Sequence, residues 1–260
     1  MFIICCGMYR SGSTWQYNVA AELYESQGRG ERLGFLTAAG FAPRLDETIK
    51  PSEARLFKTH DTDPLFAAAL ASGKACGLYA YRDLRDVVFS MAHKLQRSVE
   101  HVMNDLKFVE RCLENDRFWR QQPHVLVQRY QAITQAPALT VMEIASHLGV
   151  AVTLSQADDI ATHNSHSANA ARAETLTRQL RSTGVDLSSP TNALLYDPRT
   201  LLHWNHLREG ATGLWRDLST VEQRKALAAL CGEWLIANGF EKDNFWIEHP
   251  APPLQRTPTR

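Results

Sequence analysis

Eight residues near the start of the chain, GMYRSGST from Gly7 to Thr14, have the spacing of a phosphate-binding loop. They match the outline G-x-x-x-x-G-K-[ST] at every defined position except the lysine, and they lie between a short apolar run and a helical pattern, which is the setting that such a loop requires. Consecutive N–H groups from Ser11 to Thr14 can point at an anion, and the positive end of the helix dipole adds to the attraction. Gly12 lets the backbone approach the anion closely. We therefore predict an anion-binding loop here.

One position separates this loop from those of nucleoside triphosphatases. The lysine that holds the β- and γ-phosphates is replaced by Ser13, and the positive charge lies earlier in the loop, at Arg10. The string RSGSTW, from Arg10 to Trp15, resembles the 5'-phosphosulfate loop of sulfotransferases that use 3'-phosphoadenosine 5'-phosphosulfate (PAPS). The resemblance implies that Arg10 contacts the bridging oxygen and the leaving 5'-phosphate of this donor. It also assigns to donor binding the residues that follow, Ser11, Gly12, Ser13, Thr14 and Trp15.

A second segment, YRDLRDVVFS from Tyr81 to Ser90, resembles the family's motif for the donor's 3'-phosphate, R-D-P-R-D-V-x-x-S. Leu84 stands where the family has proline. The resemblance assigns Arg82 and Ser90 to the phosphate, and an arginine suits a dianion because it can donate two parallel hydrogen bonds. We expect Asp83 to cap the following helix, with its apolar residues on one stripe and Ser90 on the opposite side.

Two further positions resemble parts of the same donor site. LREGATGLWRDLS, from Leu207 to Ser219, resembles the loop that closes over the 3'-phosphate, which assigns Arg208 and Gly210 to that phosphate. Glu209 stands where the family usually has lysine. Tyr130 follows a predicted strand, where the family often has a tyrosine near the adenosine, and the resemblance assigns it to the donor.

The segment FKTHDTDPLF, from Phe57 to Phe66, resembles the K-T-H-L-P segment of the cytosolic-type branch of the family. Transfer of a sulfuryl group to a hydroxyl needs a base that is neutral near pH 7 and becomes a cation, which suits histidine. The resemblance therefore makes His60 the catalytic base, with Lys58 neutralising charge on the sulfuryl oxygens. This scheme requires no metal ion, and the two H-x-x-H pairs of the chain lack a third ligand at a diagnostic spacing.

Each of these segments is positioned by a predicted element of regular structure. The predicted strands are Phe2–Cys6, Ala54–Lys58, Ala75–Tyr81 and His124–Gln128. Because they alternate with helical patterns, we predict an α/β fold: a single-domain, P-loop-like parallel sheet flanked by helices on both faces. Ser219 and Glu222 form an S-x-x-E capping box that predicts the start of a closing core helix.

The same patterns divide the chain into a domain and a tail. We expect the domain to span residues 1–248, followed by a proline-rich tail at residues 249–260. The loops expected around the acceptor are residues 28–51, 94–105 and 154–202.

The overall composition argues against several classes of partner. Lys plus Arg equals Asp plus Glu, at 28 each among 260 residues, so no overall field directs the chain to nucleic acid or an anionic membrane. No apolar run approaches the ~20 residues of a membrane span. The five cysteines are odd in number and lack metal-type spacing. They indicate free thiols in a reducing compartment, and we expect a cytoplasmic protein.

Two other functions stay open at this point. A P-loop nucleotide kinase would need a lysine at Ser13 and an acid to hold magnesium, for which Asp83 is a candidate. A catalytically inactive nucleotide-binding module would not need Lys58 and His60. The resemblance favours a sulfotransferase that takes PAPS as donor, releases 3'-phosphoadenosine 5'-phosphate (PAP), and acts on a hydroxyl of a small-molecule, lipid or sugar acceptor.

Overall fold

Five parallel strands form one sheet in the computed structural model of this protein, which describes residues 1–205 and 212–250. The strands are β1 (Phe2–Gly7), β2 (Gly30–Phe35), β3 (Ala54–Thr59), β4 (Ala75–Tyr81) and β5 (Val125–Arg129). Their order in the sheet is β2-β3-β1-β4-β5, and every neighbouring pair is parallel. The predicted α/β class with a parallel sheet is confirmed.

The edge strand β2 lies where the sequence predicted a loop. Its sequence, GERLGF, contains two glycines and two charged residues, and it is at most partly buried along its length. Glycine and charged residues are depleted in strands, so the local signal is weak. Hydrogen bonds to β3 hold the segment in the sheet, and tertiary structure therefore overrides the local preference.

The helices lie between and after the strands. They are α1 (Ser13–Glu25), α2 (Ala38–Phe41), α3 (Pro64–Ala71), α4 (Leu84–Leu95), α5 (Phe108–Arg120), α6 (Tyr130–Gln135), α7 (Pro137–His147), α8 (Leu154–His163), α9 (His166–Ser182), α10 (Trp215–Leu218) and α11 (Val221–Ala237). Within the described residues no helix is long and apolar enough to cross a membrane.

The chain divides into two compact units. The first unit comprises the described residues of Met1–Tyr81 and Glu114–Leu207, and the second comprises those of Arg82–Leu113 and Arg208–Arg260. The whole sheet and the loops that follow β1 and β3 belong to the first unit. The domain boundary expected at residue 248 stays a prediction.

Alternate residues of the strands in the first unit pack against helices on opposite faces of the sheet. Ile3 and Leu56 belong to a buried cluster that α1, α7 and α8 complete. Phe57, the neighbour of Leu56, instead contacts the rings of Phe41 and Phe66 from α2 and α3. Because successive side chains of a strand point to opposite faces, helices cover both faces, as predicted. All five cysteines are buried and free.

A buried arginine organises the second unit. The Arg85 guanidinium is fully buried, and it lies 3.8 Å from the ring centroid of Trp215 and 4.5 Å from that of Trp246. It donates hydrogen bonds to Asp83 and to Glu241. Two carboxylates and two aromatic faces therefore compensate the buried charge, which would otherwise be strongly destabilising.

The capping box of the closing helix is shifted by one residue from the predicted position. Thr220 is the N-cap of α11, and it exchanges hydrogen bonds with Gln223, so that Ser219 and Glu222 do not form the box. The carbonyl and hydroxyl oxygens of Ser219 accept hydrogen bonds from Arg224 instead. Both S-x-x-E and T-x-x-Q satisfy the sequence rule, and the contact with Arg224 favours the second register.

Candidate active site

The predicted anion-binding loop follows β1, the central strand of the sheet, at its carboxyl end. Two of its residues have positive φ angles, 59° at Arg10 and 102° at Gly12. An arginine in the left-handed region carries a backbone strain of about 1–3 kcal/mol, which is a mark of functional loops. Gly7 is required at the start of the loop because a β-carbon there would lie 2.6 Å from Cβ of Ser13.

The side chain of Ser11 holds the loop against the sheet. It is fully buried, and its hydroxyl donates towards the carbonyl oxygens of Met8 and Ala80, 2.7 Å from the latter. Met8 N–H also donates to the carbonyl of Ala80. Ser11 therefore has a structural role through its hydroxyl, and only its backbone N–H is left for an anion.

The first turn of α1 is open for a ligand. Gly12 is its N-cap, and no side chain of the described residues caps the helix. The N–H groups of the first turn have no partner within a helix, so an anion at this end gains both hydrogen bonds and the helix dipole. Ser13 and Thr14 are buried at the start of this turn, and Trp15 packs partly on the core cluster.

Tyr130, predicted to contact the adenosine, lies beside the loop. A β-carbon on Gly12 would be 3.3 Å from the ring of Tyr130 and 3.0 Å from Ile133 on α6. The structure therefore brings this predicted donor residue next to the loop in the first unit.

Lys58 and His60, at the end of β3, form a close pair. Lys58 Nζ lies 2.6 Å from Nε2 of His60, and Nδ1 of His60 lies 2.8 Å from the carbonyl oxygen of Gly7. A carbonyl oxygen only accepts hydrogen bonds, so Nδ1 carries a hydrogen and donates it to Gly7. Nε2 is thus the basic nitrogen of the neutral ring, and its lone pair faces Lys58.

The surroundings of Lys58 disfavour its charge. The side chain is 7% exposed, and burial lowers the pKa of Lys58 to about 7, with the Arg10 guanidinium acting in the same direction. Desolvation penalises an ammonium ion unless an anion or another acceptor compensates it. Lys58 is therefore suited to bind an anionic group that enters the site.

Three further residues fix the position of His60; Phe35 lies in the segment 28–51 expected around the acceptor, whereas the sequence analysis did not single out Tyr9 and Asn115. The ring of Tyr9 stacks on the imidazole with centroids 4.3 Å apart, and Phe35 lies 6.1 Å away at a tilt. Asn115, buried on α5, donates a hydrogen bond to the carbonyl of His60. Tyr9 stands where a family loop of the form P-K-S-G has proline, and this departure from the family pattern could have marked Tyr9 as a candidate site residue. Asn115 had no signal because the contact joins residues far apart in the chain.

The R-D-L-R-D segment belongs to the second unit, and its charged residues have different partners. Asp83 caps α4 as predicted, and both of its carboxylate oxygens bind Arg85. The Arg82 guanidinium lies 3.6 Å from Asp86, which accepts a hydrogen bond from Gly213 N–H. Burial raises the pKa of the Asp86 carboxyl, whereas Arg82 lowers it.

The remaining predicted donor residues are only partly described. Ser90 on α4 is half-buried, whereas most of the helix, including Arg85, Asp86 and Phe89, is buried, so the assignment of Ser90 to the 3'-phosphate stays a prediction. Arg208, Glu209 and Gly210 lie outside the described residues, as does most of the predicted tail. No group of three metal-ligating side chains occurs in the described part of the chain.

The chain belongs to the sulfotransferase family. A family model described as a sulfotransferase domain matches residues 2–239, which is most of the chain. The predicted family is confirmed by this match. No curated protein sequence matches the chain.

Solved structures with the same fold are similar to this chain at low sequence identity. Mouse sulfotransferase SULT7A1 complexed with PAP has a TM-score of 0.61 at 16% identity, over 96% of this chain and 89% of that one. Retinol dehydratase in a complex with retinol and PAP has a TM-score of 0.63 at 18% identity, over 90% and 81%. Retinol dehydratase with androsterone and PAP gives 0.58 at 18%, over 90% and 80%.

Proposed function

We propose that the protein transfers the sulfuryl group of PAPS to a hydroxyl of an acceptor, with Nε2 of His60 as the general base. The observation that carries this proposal is the Lys58–His60 pair, in which the basic nitrogen is defined by its partners. The pair stands on the strand next to the one that carries the anion-binding loop. The complexes of the two similar proteins with PAP support the choice of donor.

The residues of the loop fit a 5'-phosphosulfate group. Gly12 has a positive φ and packs closely against Ile133 and Tyr130, the first turn of α1 presents uncapped N–H groups, and Arg10 supplies a positive charge. Because Ser13 replaces the lysine of nucleoside triphosphatases, the loop lacks their clamp for a γ-phosphate. We assign Arg82, Ser90, Arg208 and Gly210 to the 3'-phosphate and Tyr130 to the adenosine on the resemblance to the family.

His60, Lys58 and Arg10 divide the chemistry among them. Nε2 of His60 accepts the proton of the acceptor hydroxyl, and the Nδ1–H bond to Gly7 stabilises the imidazolium that forms. The donor supplies the sulfuryl group: a bond forms from the acceptor oxygen to sulfur, the bond from sulfur to the bridging oxygen breaks, and its electron pair stays on the 5'-phosphate. Lys58 stabilises charge on the sulfuryl oxygens, and Arg10 stabilises charge on the leaving phosphate.

The kinase alternative loses its metal ligand. Asp83 was the candidate acid for magnesium, but both of its oxygens bind the buried guanidinium of Arg85. A carboxylate that is already paired in this way would have to break two charge-assisted hydrogen bonds to bind a cation. The structure therefore favours sulfuryl transfer over phosphoryl transfer.

The test is transfer from ³⁵S-labelled PAPS to a panel of hydroxyl compounds. The panel should begin with apolar alcohols, because retinol and androsterone are the compounds in the complexes of retinol dehydratase. Small-molecule, lipid and sugar hydroxyls complete it. The expected result is labelled product with release of PAP and without added magnesium.

A histidine variant tests the base. His60→Ala should lower turnover by about two to four orders of magnitude while PAP binding, measured by calorimetry, stays unchanged. His249→Ala, at an exposed histidine near the end of the described chain, is the control and should keep full turnover, and His93 and His101 are the next candidates for the base if His60 is not the base. Near-normal turnover in His60→Ala would show that another group is the base.

A further inference from the structure

The Lys58–His60 contact holds one proton between two nitrogen atoms. Nδ1 carries a hydrogen in every state because it faces the carbonyl of Gly7 at 2.8 Å. If Lys58 is an ammonium ion, it donates to the lone pair of Nε2; if His60 is an imidazolium ion, its Nε2–H donates to the lysine amine. Both forms place one bridging hydrogen on the same 2.6 Å axis. Full protonation of both groups would set two donors against each other.

The charges around the pair also disfavour a second proton. The Arg10 guanidinium opposes positive charge on Lys58, and burial of Lys58 acts in the same direction. Among the other titratable neighbours, Tyr9 stacks on the His60 ring, and Cys5 and Cys6 lie on β1; burial raises the pKa of both thiols, so they stay neutral near pH 7. Near pH 7 the resting pair therefore carries at most one extra proton, its members titrate together, and an N–H bridges the two nitrogens whether the lysine is an ammonium or a neutral amine.

In this state the base cannot act. The lone pair of Nε2 accepts one hydrogen, and the bridging hydrogen occupies it. An acceptor hydroxyl needs the same lone pair to lose its proton. Lys58 must move away from Nε2 before His60 can serve as a base.

We propose that Lys58 gates the base: it occupies Nε2 of His60 until the anionic sulfuryl end of the donor draws the ammonium group away. This inference rests on the proposed function. An anion near Lys58 favours its charged form, so the bridging proton stays with Lys58 when the pair separates. His60 is then neutral, with its lone pair exposed to the acceptor, and the donor must bind before deprotonation of the hydroxyl becomes possible.

The gate predicts a change at His60 that can be measured without turnover. The full chain with ¹⁵N-labelled histidine is titrated by long-range ¹⁵N–¹H NMR from pH 5 to 9, and the His60 signals are assigned by their loss in His60→Gln. In the free protein His60 and Lys58 should show a coupled titration. Saturating PAPS should raise the pKa of His60 by about one pH unit or more, because an anion replaces an adjacent ammonium.

Lys58→Met separates the two parts of the proposal. Without the ammonium, the pKa of His60 should be about one pH unit or more above its wild-type value in the free protein, and PAPS should change it less than in wild type. Lys74→Met is the control. Lys74 is an exposed lysine directly before β4, and its replacement should leave the His60 titration as in wild type. An identical His60 titration in wild type and Lys58→Met would overturn the shared proton.

The PAPS titration distinguishes failure of the gate from failure of the proposed function. If PAPS shifts other signals of the protein but leaves the His60 titration unchanged, the donor binds and the gate is wrong. If PAPS shifts no signal at all, the donor assignment fails, and the gate fails with it.

Discussion

Lys58→Met also tests the energetic cost of a buried lysine at the site. Burial lowers the pKa of Lys58 to about 7 from 10.5, so the unfolded chain binds this proton more tightly than the folded protein does. When folding lowers the pKa of a lysine, the group does not reduce the free energy of unfolding above its unfolded-state pKa. As the pH falls from the unfolded-state pKa through the folded-state pKa, the unfolded chain takes up the proton first, and the folded protein loses stability. The window for Lys58 is therefore about pH 7 to 10.5.

The magnitude follows from the two pKa values. Within the window the wild-type protein should lose about 1.4 kcal/mol of stability for each pH unit of acidification, up to about 5 kcal/mol in total. Methionine has a similar length and no charge, so Lys58→Met lacks this slope. Between pH 9 and pH 7 the stability of the variant relative to wild type should rise by about 2–3 kcal/mol.

Urea denaturation at pH 7, 8 and 9 measures the free energy of unfolding of wild type, Lys58→Met and the control variant. Comparing the variant with wild type at each pH removes the contribution of every other titrating group that the two share. Lys50→Met is the matched control, since the Lys50 side chain is 78% exposed, and its difference from wild type should not depend on pH. A Lys58→Met difference that is equally flat would refute the lowered pKa of the buried lysine on which the reasoning depends.

Three other changes test separate parts of the site. Gly12→Ala should weaken PAP binding, because its β-carbon would lie 3.0 Å from Ile133 and would displace the loop. Gly73→Ala is the control: Gly73 also has a positive φ but faces open space, so this variant should lose only stability, about 1–2 kcal/mol. Equal PAP affinities of the two variants in calorimetry would contradict this. Arg208→Ala should weaken PAP binding by about 1.5–3 kcal/mol if its loop holds the 3'-phosphate, and unchanged affinity would remove that assignment. Asp86→Asn should gain stability relative to wild type as the pH rises from about 4 to 7, measured by urea denaturation. Because the pKa of Asp86 is raised above 3.8 in the folded protein, its contribution to stability is fully present below pH 3.8 and is lost as the pH rises through the folded-state pKa. Asparagine does not titrate, so the variant lacks this loss.

The parts of the site that depend on local pattern could be predicted from the sequence. The loop from Gly7 to Thr14, the strand before it and the helix after it are contiguous, and Asp83 caps α4 from two residues away. Such features need only a few neighbouring residues and their backbone preferences. The edge strand β2 could not be predicted because its pairing with β3, and not its own sequence, makes it a strand.

The protonation of the base depends on contacts that no local pattern contains. His60 follows β3, but its Nδ1 is held by Gly7 at the end of β1, and its carbonyl is held by Asn115 on α5. The sequence therefore singled out His60 as the candidate base, but it could not indicate which of the two ring nitrogens is the basic one. That assignment needs the three-dimensional partners of the ring.

The R-D-L-R-D segment shows why a resemblance in sequence leaves roles undecided. Its two arginines are alike in type, but Arg85 lies fully buried between two tryptophans with Asp83 and Glu241 as partners. Such a guanidinium could not bind a phosphate without breaking those ion pairs, so Arg85 stabilises the second unit instead. Arg82 is 8% exposed, and its guanidinium lies 3.6 Å from Asp86. Asp86 also accepts a hydrogen bond from the N–H of Gly213. Gly213 lies in the segment Leu207–Ser219, which resembles the family's loop over the 3'-phosphate. The Asp86 carboxylate thus contacts both this segment and Arg82, the arginine assigned to the same phosphate. The contacts of the two arginines thus distinguish Arg85, which has a structural role, from Arg82, which the resemblance assigns to the 3'-phosphate.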